Sequence, residues 1–190
     1  CAWAKYRASS RGCEPVRGVD FASTSRKEGV MSHPPPPAAV LRRPVRLAVR
    51  AVILHEGRLL VVNAWPEPER DLWCAPGGGV EPHASLPDNL IREVHEETGL
   101  RIAVLAPCLV NEFHDPAAGF HQVDVYFHTR LLAPPAPGPW TDPAGVVTRR
   151  RFVTRDELAG LRHKPDSLSA VAFGNGTTAP LYDPLEPILR

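Results

Sequence analysis

Hydrophobic and polar positions begin to alternate at Val45. Leu47, Val49, Ala51 and Ile53 alternate with Arg46, Ala48, Arg50 and Val52, the period-two pattern of a strand. His55-Glu56-Gly57-Arg58 reads as a turn and Leu59-Leu60-Val61-Val62 as a second strand, which together predict a hairpin. Trp65 to Asp71 is a polar loop broken by prolines, and Leu72 to Ala75 is a short strand that runs into Gly77-Gly78-Gly79. The period then changes. From Ser85 to Gly99, Leu86, Leu90, Ile91 and Val94 share one face at about 100° per residue, which predicts a helix packed on a sheet. Ser85 is a suitable N-cap, Asp88 completes an approximate capping box, Pro87 falls in the first turn, and Gly99 supplies a left-handed stop.

Beyond the helix, Leu100 to Val110 and Val123 to Thr129 read as strands. Residues 111–121 between them mix acids, histidines and phenylalanines, and read either as a recognition loop or as a polar hairpin turn. Pro134 to Pro139 is a stiff connector. Val146-Val147 and Arg149 to Val153 predict a strand with a charged edge, and Thr154 caps a short helix over 155–160. Residues 162–190 read as a tail with one short helix. Residues 1–44 lack periodicity and end in a polyproline run, so they are expected to be a disordered or non-native extension, with natural translation starting at Met31. The expected domain is 45–161.

On that helix, Glu93 and Glu97 lie one turn apart with Glu96 beside them, all bordering the apolar stripe. Carboxylates converging at a packed edge repel one another and lose hydration unless hydrogen bonds or cations compensate. A divalent ion such as Mg²⁺, which takes oxygen ligands and shares substrate phosphates, is one answer. A solvated acidic helix end, with Arg92 and Glu96 as an i,i+4 pair, is the other.

Gly78, Arg92, Glu93, Val94, Glu96, Glu97, Gly99 and Leu100 resemble the Nudix box: glycine, five residues, Glu, seven residues, Arg-Glu, an aliphatic, any residue, Glu-Glu, any residue, Gly, aliphatic. Every defined position matches except the first glutamate, where Ala84 stands, and His83 occupies a position where glycine is common. The resemblance spans Val45 to Leu161. It implies an α/β fold with a mixed sheet sandwiched between helices, and hydrolysis of a nucleoside diphosphate linked to another group. It implies Mg²⁺ or Mn²⁺ as cofactor, with Glu97 as principal ligand, Glu93 as ligand or general base, Glu96 as a second ligand and the Gly78 carbonyl as a further one. Arg92 orients the carboxylates, with Asp88 or Glu96 replacing its missing partner. Arg50, Trp65, Phe113 and Phe120 are candidate substrate contacts; Asn63 stands where a basic residue is expected. Glu81, Glu112, Asp115 and Asp124 are candidate further acids, read as structural before catalytic. The alternative is a Nudix-like binding module that has lost turnover with the first glutamate.

Composition narrows the partners. The 190 residues are 43% hydrophobic and 23% charged, ordinary for one soluble domain, and the formal net charge of +1 argues against long nucleic acid. No apolar run is long enough to span a membrane. Cys1, Cys13, Cys74 and Cys108 form no metal-finger spacing, and His114 and His121 lack close partners, so no zinc site is read. The expected setting is the cytoplasm; a homodimer is compatible with the resemblance.

Overall fold

The computed structural model describes residues 44–66, 71–174, 179–183 and 185–187. The expectations for the segment before Pro44, including a start at Met31, lie outside the described residues.

Strands β1 (Arg46–His55) and β2 (Arg58–Asn63) form the expected hairpin, turning through Glu56 and Gly57 at positive φ. Short strands β3 (Trp73–Cys74) and β4 (Gly77–Gly79) follow, then helix α1 (Leu86–Thr98). Strands β5 (Ile102–Asp115) and β6 (Phe120–Leu131) make a long hairpin, and β7 (Arg150–Val153) leads into α2 (Arg155–Ala159) and α3 (Leu168–Phe173). Two short strands, β8 (Leu181–Tyr182) and β9 (Glu186–Pro187), pair in parallel with β5. Among the described residues the sheet runs β3-β2-β1-β6-β5-β8, with β4 on β1, β7 on β2 and β9 on β5. Because β1 and β6 are parallel while the hairpins are antiparallel, the sheet is mixed.

β1 lies in the middle of the molecule, and it is buried without interruption from Ala48 to Ile53. Both of its faces are covered, which turns an alternating pattern into a nearly continuous buried run. Val49, Ala51 and Ile53 pack with Leu60, Phe127 and the α1 residues Leu90 and Val94. Val52 packs on the other side with Leu59, Val61, Leu109 and Tyr126, beneath Leu158 of α2 and Leu168, Val171 and Ala172 of α3. This is an α/β/α sandwich. Leu47, expected on the buried face, is exposed at the strand's open end.

Two local expectations change. Of the two readings of residues 111–121 the hairpin holds and the loop does not, and the turn is shorter than expected: β5 continues to Asp115, a 3₁₀ turn spans Pro116–Ala118, and β6 begins at Phe120. Glu112 and His121 meet across the strands, with Glu112 Oε2 3.0 Å from His121 Nε2, and the Asp115 carboxylate caps the turn by accepting from the Ala118 amide. Val146-Val147 is not a strand either, because the Asp142 carboxylate accepts from both of their amides, at 3.0 and 2.9 Å, and bends the chain. Asn63 organises the same corner: it donates to the carbonyls of Trp65 and Val146 and accepts from the amides of Thr148 and Arg149. It is fully buried, which explains an amide where a basic residue was expected.

Cys74 and Cys108 are buried and not bonded to each other, and burial pushes their thiols up to about 11 and about 12. Both stay protonated at neutral pH. No described helix is long and apolar enough to cross a membrane.

Candidate functional site

Helix α1 is fixed at both ends. At its start Ser85 Oγ accepts from the Asp88 amide at 3.1 Å, and Pro87 sits in the first turn. The second half of the capping box differs from expectation: Asp88 accepts from the Ser85 hydroxyl at 2.6 Å. An aspartate is one methylene shorter than the glutamate that reaches back to the N-cap amide. At its end Gly99 adopts φ 71° and donates to the His95 carbonyl. A side chain at Gly99 would also strike Trp140, whose ring lies 2.5 Å from the place of an added Cβ and whose indole donates to the Glu96 carbonyl at 2.8 Å. Leu90 and Val94 are fully buried beneath the helix, whereas Ile91 is 41% exposed and turns off the packed face.

That packing draws two carboxylates inward. Glu93 is 4% and Glu97 1% exposed, while Glu96 stays partly open. Glu97 Oε2 accepts from the Gly77 amide at 2.9 Å. The Glu93 carboxylate fills the space that a side chain on Gly78 would need, 2.1 Å from an added Cβ to Oε2. A side chain at 78 would displace the Glu93 carboxylate, whereas 77 is held to glycine by its φ of 138° and by the Val49 carbonyl, 2.1 Å from an added Cβ.

Arg92 ties the loop to the helix. Its Nη1 donates to Glu93 Oε1 at 3.0 Å and to Glu96 Oε2 at 3.3 Å; its Nη2 donates to the Gly79 carbonyl and lies 3.6 Å from Glu81. Burial works against its charge, yet the neighbouring Glu93, with Glu96 and Glu81, outweighs it and raises the guanidinium pKa. Arg92 thus pairs with Glu96 as well as Glu93 and lies near Glu81, whereas Asp88 pairs with Ser85.

Two residues carry more than their sequence context suggests. Asn89, 1% exposed, accepts from the Glu81 amide at 2.9 Å and donates to the Ser85 carbonyl at the same distance, stitching the loop onto the first turn. His83 sits at φ 70°, so the preference for glycine at that position has a backbone cause.

Among the described residues, no three His, Cys, Asp or Glu side chains form a ready cation cage. The donor chemistry still fits a hard divalent ion: Glu93, Glu96 and Glu97 offer only oxygens, and the bare Cα of Gly78 lets the backbone meet the Glu93 carboxylate directly.

The substrate candidates are dispersed. Trp65 packs in a satellite core with Val62, Ala64, Leu72, Cys74, Val146 and Val147. Phe113 and Phe120 are buried near the turn of the β5–β6 hairpin. Arg50 is 2% exposed, and its guanidinium engages Asp124 at 3.2 Å and the Gly77 carbonyl at 2.9 Å. Burial opposes its charge, but Asp124 together with weaker neighbouring groups, Glu97 among them, outweighs it and raises its pKa. Arg50 thereby reaches the glycine loop.

Known proteins match this arrangement. The NUDIX domain model covers residues 44–172, extending past the expected boundary at 161 and into α3. The human nucleoside diphosphate-linked moiety X motif 6 is 32% identical over 62 residues, a span covering 33% of this chain and 20% of that protein. Solved structures with the same fold include a NUDIX hydrolase from Nitrosomonas europaea, at a TM-score of 0.57 and 19% identity over 77% of this chain and 80% of that one. A UDP-X diphosphatase gives 0.56 and 20% over 77% and 70%. An ADP-ribose pyrophosphatase from Streptococcus suis gives 0.51 and 24% over 74% and 100%. At these identities the structural likeness is one of fold. The family match, which takes in the glycine loop, the whole of α1 and most of the sheet, makes this chain a member of the Nudix hydrolase family.

Proposed function

We propose that the protein is a metal-dependent pyrophosphohydrolase that cleaves a diphosphate bond in a nucleoside diphosphate linked to another group, with Mg²⁺ or Mn²⁺ as cofactor. The observation that carries this reading is the buried Glu97 carboxylate, anchored on the Gly77 amide at 2.9 Å. A carboxylate kept dry on one hydrogen-bonded edge is held in a fixed orientation. Glu97 is the principal ligand, Glu93 a ligand or general base, and Glu96 a further ligand nearer solvent, joined by the Gly78 carbonyl. Arg92 orients Glu93 and Glu96 by donating to both. A divalent ion bound there neutralises diphosphate oxygens and lowers the pKa of water.

The substrate class follows the names of similar proteins: nucleoside diphosphate-linked moiety X motif 6, UDP-X diphosphatase and ADP-ribose pyrophosphatase. Buried cysteines without a disulfide at positions 74 and 108 suit a reducing compartment, and we place the protein in the cytoplasm. One observation favours a second reading, a binding module without turnover: Ala84 stands where the box has its first glutamate.

Incubation with Mg²⁺ or Mn²⁺ and a panel of nucleoside diphosphate compounds separates the two. Product release is expected, and Glu97→Gln should lower it by roughly 100-fold, about 2.7 kcal/mol, with unchanged circular dichroism. Tight reversible binding with no product anywhere in the panel would overturn the enzyme reading, and an unchanged Glu97→Gln rate would misplace the site.

A further inference from the structure

Gly77 is the joint between sheet and site, and it is the least self-determined residue in the loop. At φ 138° it occupies a conformation open to glycine alone, so its own side chain contributes nothing to holding it there. Its conformation is set from outside. On one side its N–H donates to Glu97 Oε2 at 2.9 Å; on the other its carbonyl accepts from Arg50 Nη1 at 2.9 Å. The same Arg50 nitrogen lies 3.4 Å from the Ala75 carbonyl, and the Ala51 amide donates to the Pro76 carbonyl, so the approach to Gly77 is pinned as well. Arg50 is in turn held by Asp124, whose Oδ1 accepts from Arg50 Nε at 3.2 Å and from Gln122 Nε2 at 2.9 Å. All of these groups are buried.

We infer that Arg50, held by Asp124, is a positioning residue for Glu97 that acts through Gly77. A planar guanidinium presents separate donors in fixed directions, so it can face a carboxylate with one edge and a loop carbonyl with another. The interior ion pair is therefore an orienting device: it aims the peptide that aims the carboxylate. The consequence for metal binding rests on the function proposed above, whereas the clamp on Gly77 stands apart from it.

The test uses the full chain, ¹⁵N-labelled, with two readouts: hydrogen exchange of the Gly77 amide without metal, and titration with Mn²⁺ alone. Arg50→Lys keeps a positive charge for Asp124 but offers one compact ammonium in place of the fork. Gly77 exchange should accelerate by roughly tenfold and the Mn²⁺ Kd should rise by about the same factor, with the β1–β6 amides as protected as in the unaltered protein. Should the lysine variant not fold, the double variant Arg50→Met with Asp124→Leu removes both charges together and takes the same readouts, since hydrophobic replacement of a buried pair preserves folds. Unchanged Gly77 exchange in a folded variant overturns the inference, and so does faster exchange with unchanged Mn²⁺ affinity. If the unaltered protein takes up no Mn²⁺, the metal reading fails, and Gly77 exchange alone decides the positioning role.

Discussion

On the α1 side of β1, Val49, Ala51 and Ile53 meet Leu90 and Val94 through apolar side chains alone, while on the α2–α3 side Arg50, two residues from Val52, faces Asp124 as a buried ion pair. The first contact is non-directional. It presses the helix onto the sheet and so sets how deep Glu93 and Glu97 lie. The second is directional, and it sets the orientation of a peptide in the glycine loop. A hydrolytic site needs both, because depth without orientation leaves a carboxylate free to turn.

The contrast is broken most severely by removing one charge. Asp124→Leu leaves the Arg50 guanidinium buried without its carboxylate and should cost about 3–5 kcal/mol in denaturant unfolding. A loss under about 1 kcal/mol would mean that the pair contributes little to the fold. On the other face, Leu90→Ala opens a cavity under α1 and should cost about 3 kcal/mol by the same measurement. Its effect on stability should exceed its effect on Gly77 exchange, the reverse of Arg50→Lys. Ala84→Glu tests the box itself. Arg92 already holds Glu93 and Glu96 and lies near Glu81, so a new exposed carboxylate should shift the rate by less than about fivefold. A hundredfold gain would show that the missing glutamate is not compensated. The smallest effect concerns His128, whose pKa is lowered by burial. The unfolded chain then binds the proton more readily, so stability present above the unfolded pKa is lost as the pH falls through it. Between about pH 7 and about pH 5 the Tm of His128→Gln should fall less than that of the unaltered protein.

What could be read in advance was local. Ser85, Pro87, Gly99 and Thr154 mark helix ends by chemistry contained within a turn or two of chain, and the structure uses each for that purpose. The mixed sheet between helices was legible through the box spacing. The strand reach of β5 was not, because Glu112 and His121 look like loop residues until they are paired across the hairpin. Arg50 read as a candidate substrate contact for the same reason, since its carboxylate partner lies 74 residues further on. Asn63 and Trp140 were hidden likewise: one bonds to residues beyond 145, the other reaches back to Glu96. Long-range polar pairing leaves no periodic trace.

The separation between Arg50 and Asp124 also has a consequence for synthesis. β1 is among the first described strands to be made, but its parallel neighbour β6 comes only after α1 and β5. Until residues 122–129 have left the ribosome, Arg50 lacks its carboxylate and the glycine loop lacks its clamp. α1 can form early from its own caps, whereas the setting of Glu97 must wait for a contact of high sequence separation, the slow kind to form. A nascent chain stalled before β6 should therefore carry the whole glycine loop and α1 but no ordered site.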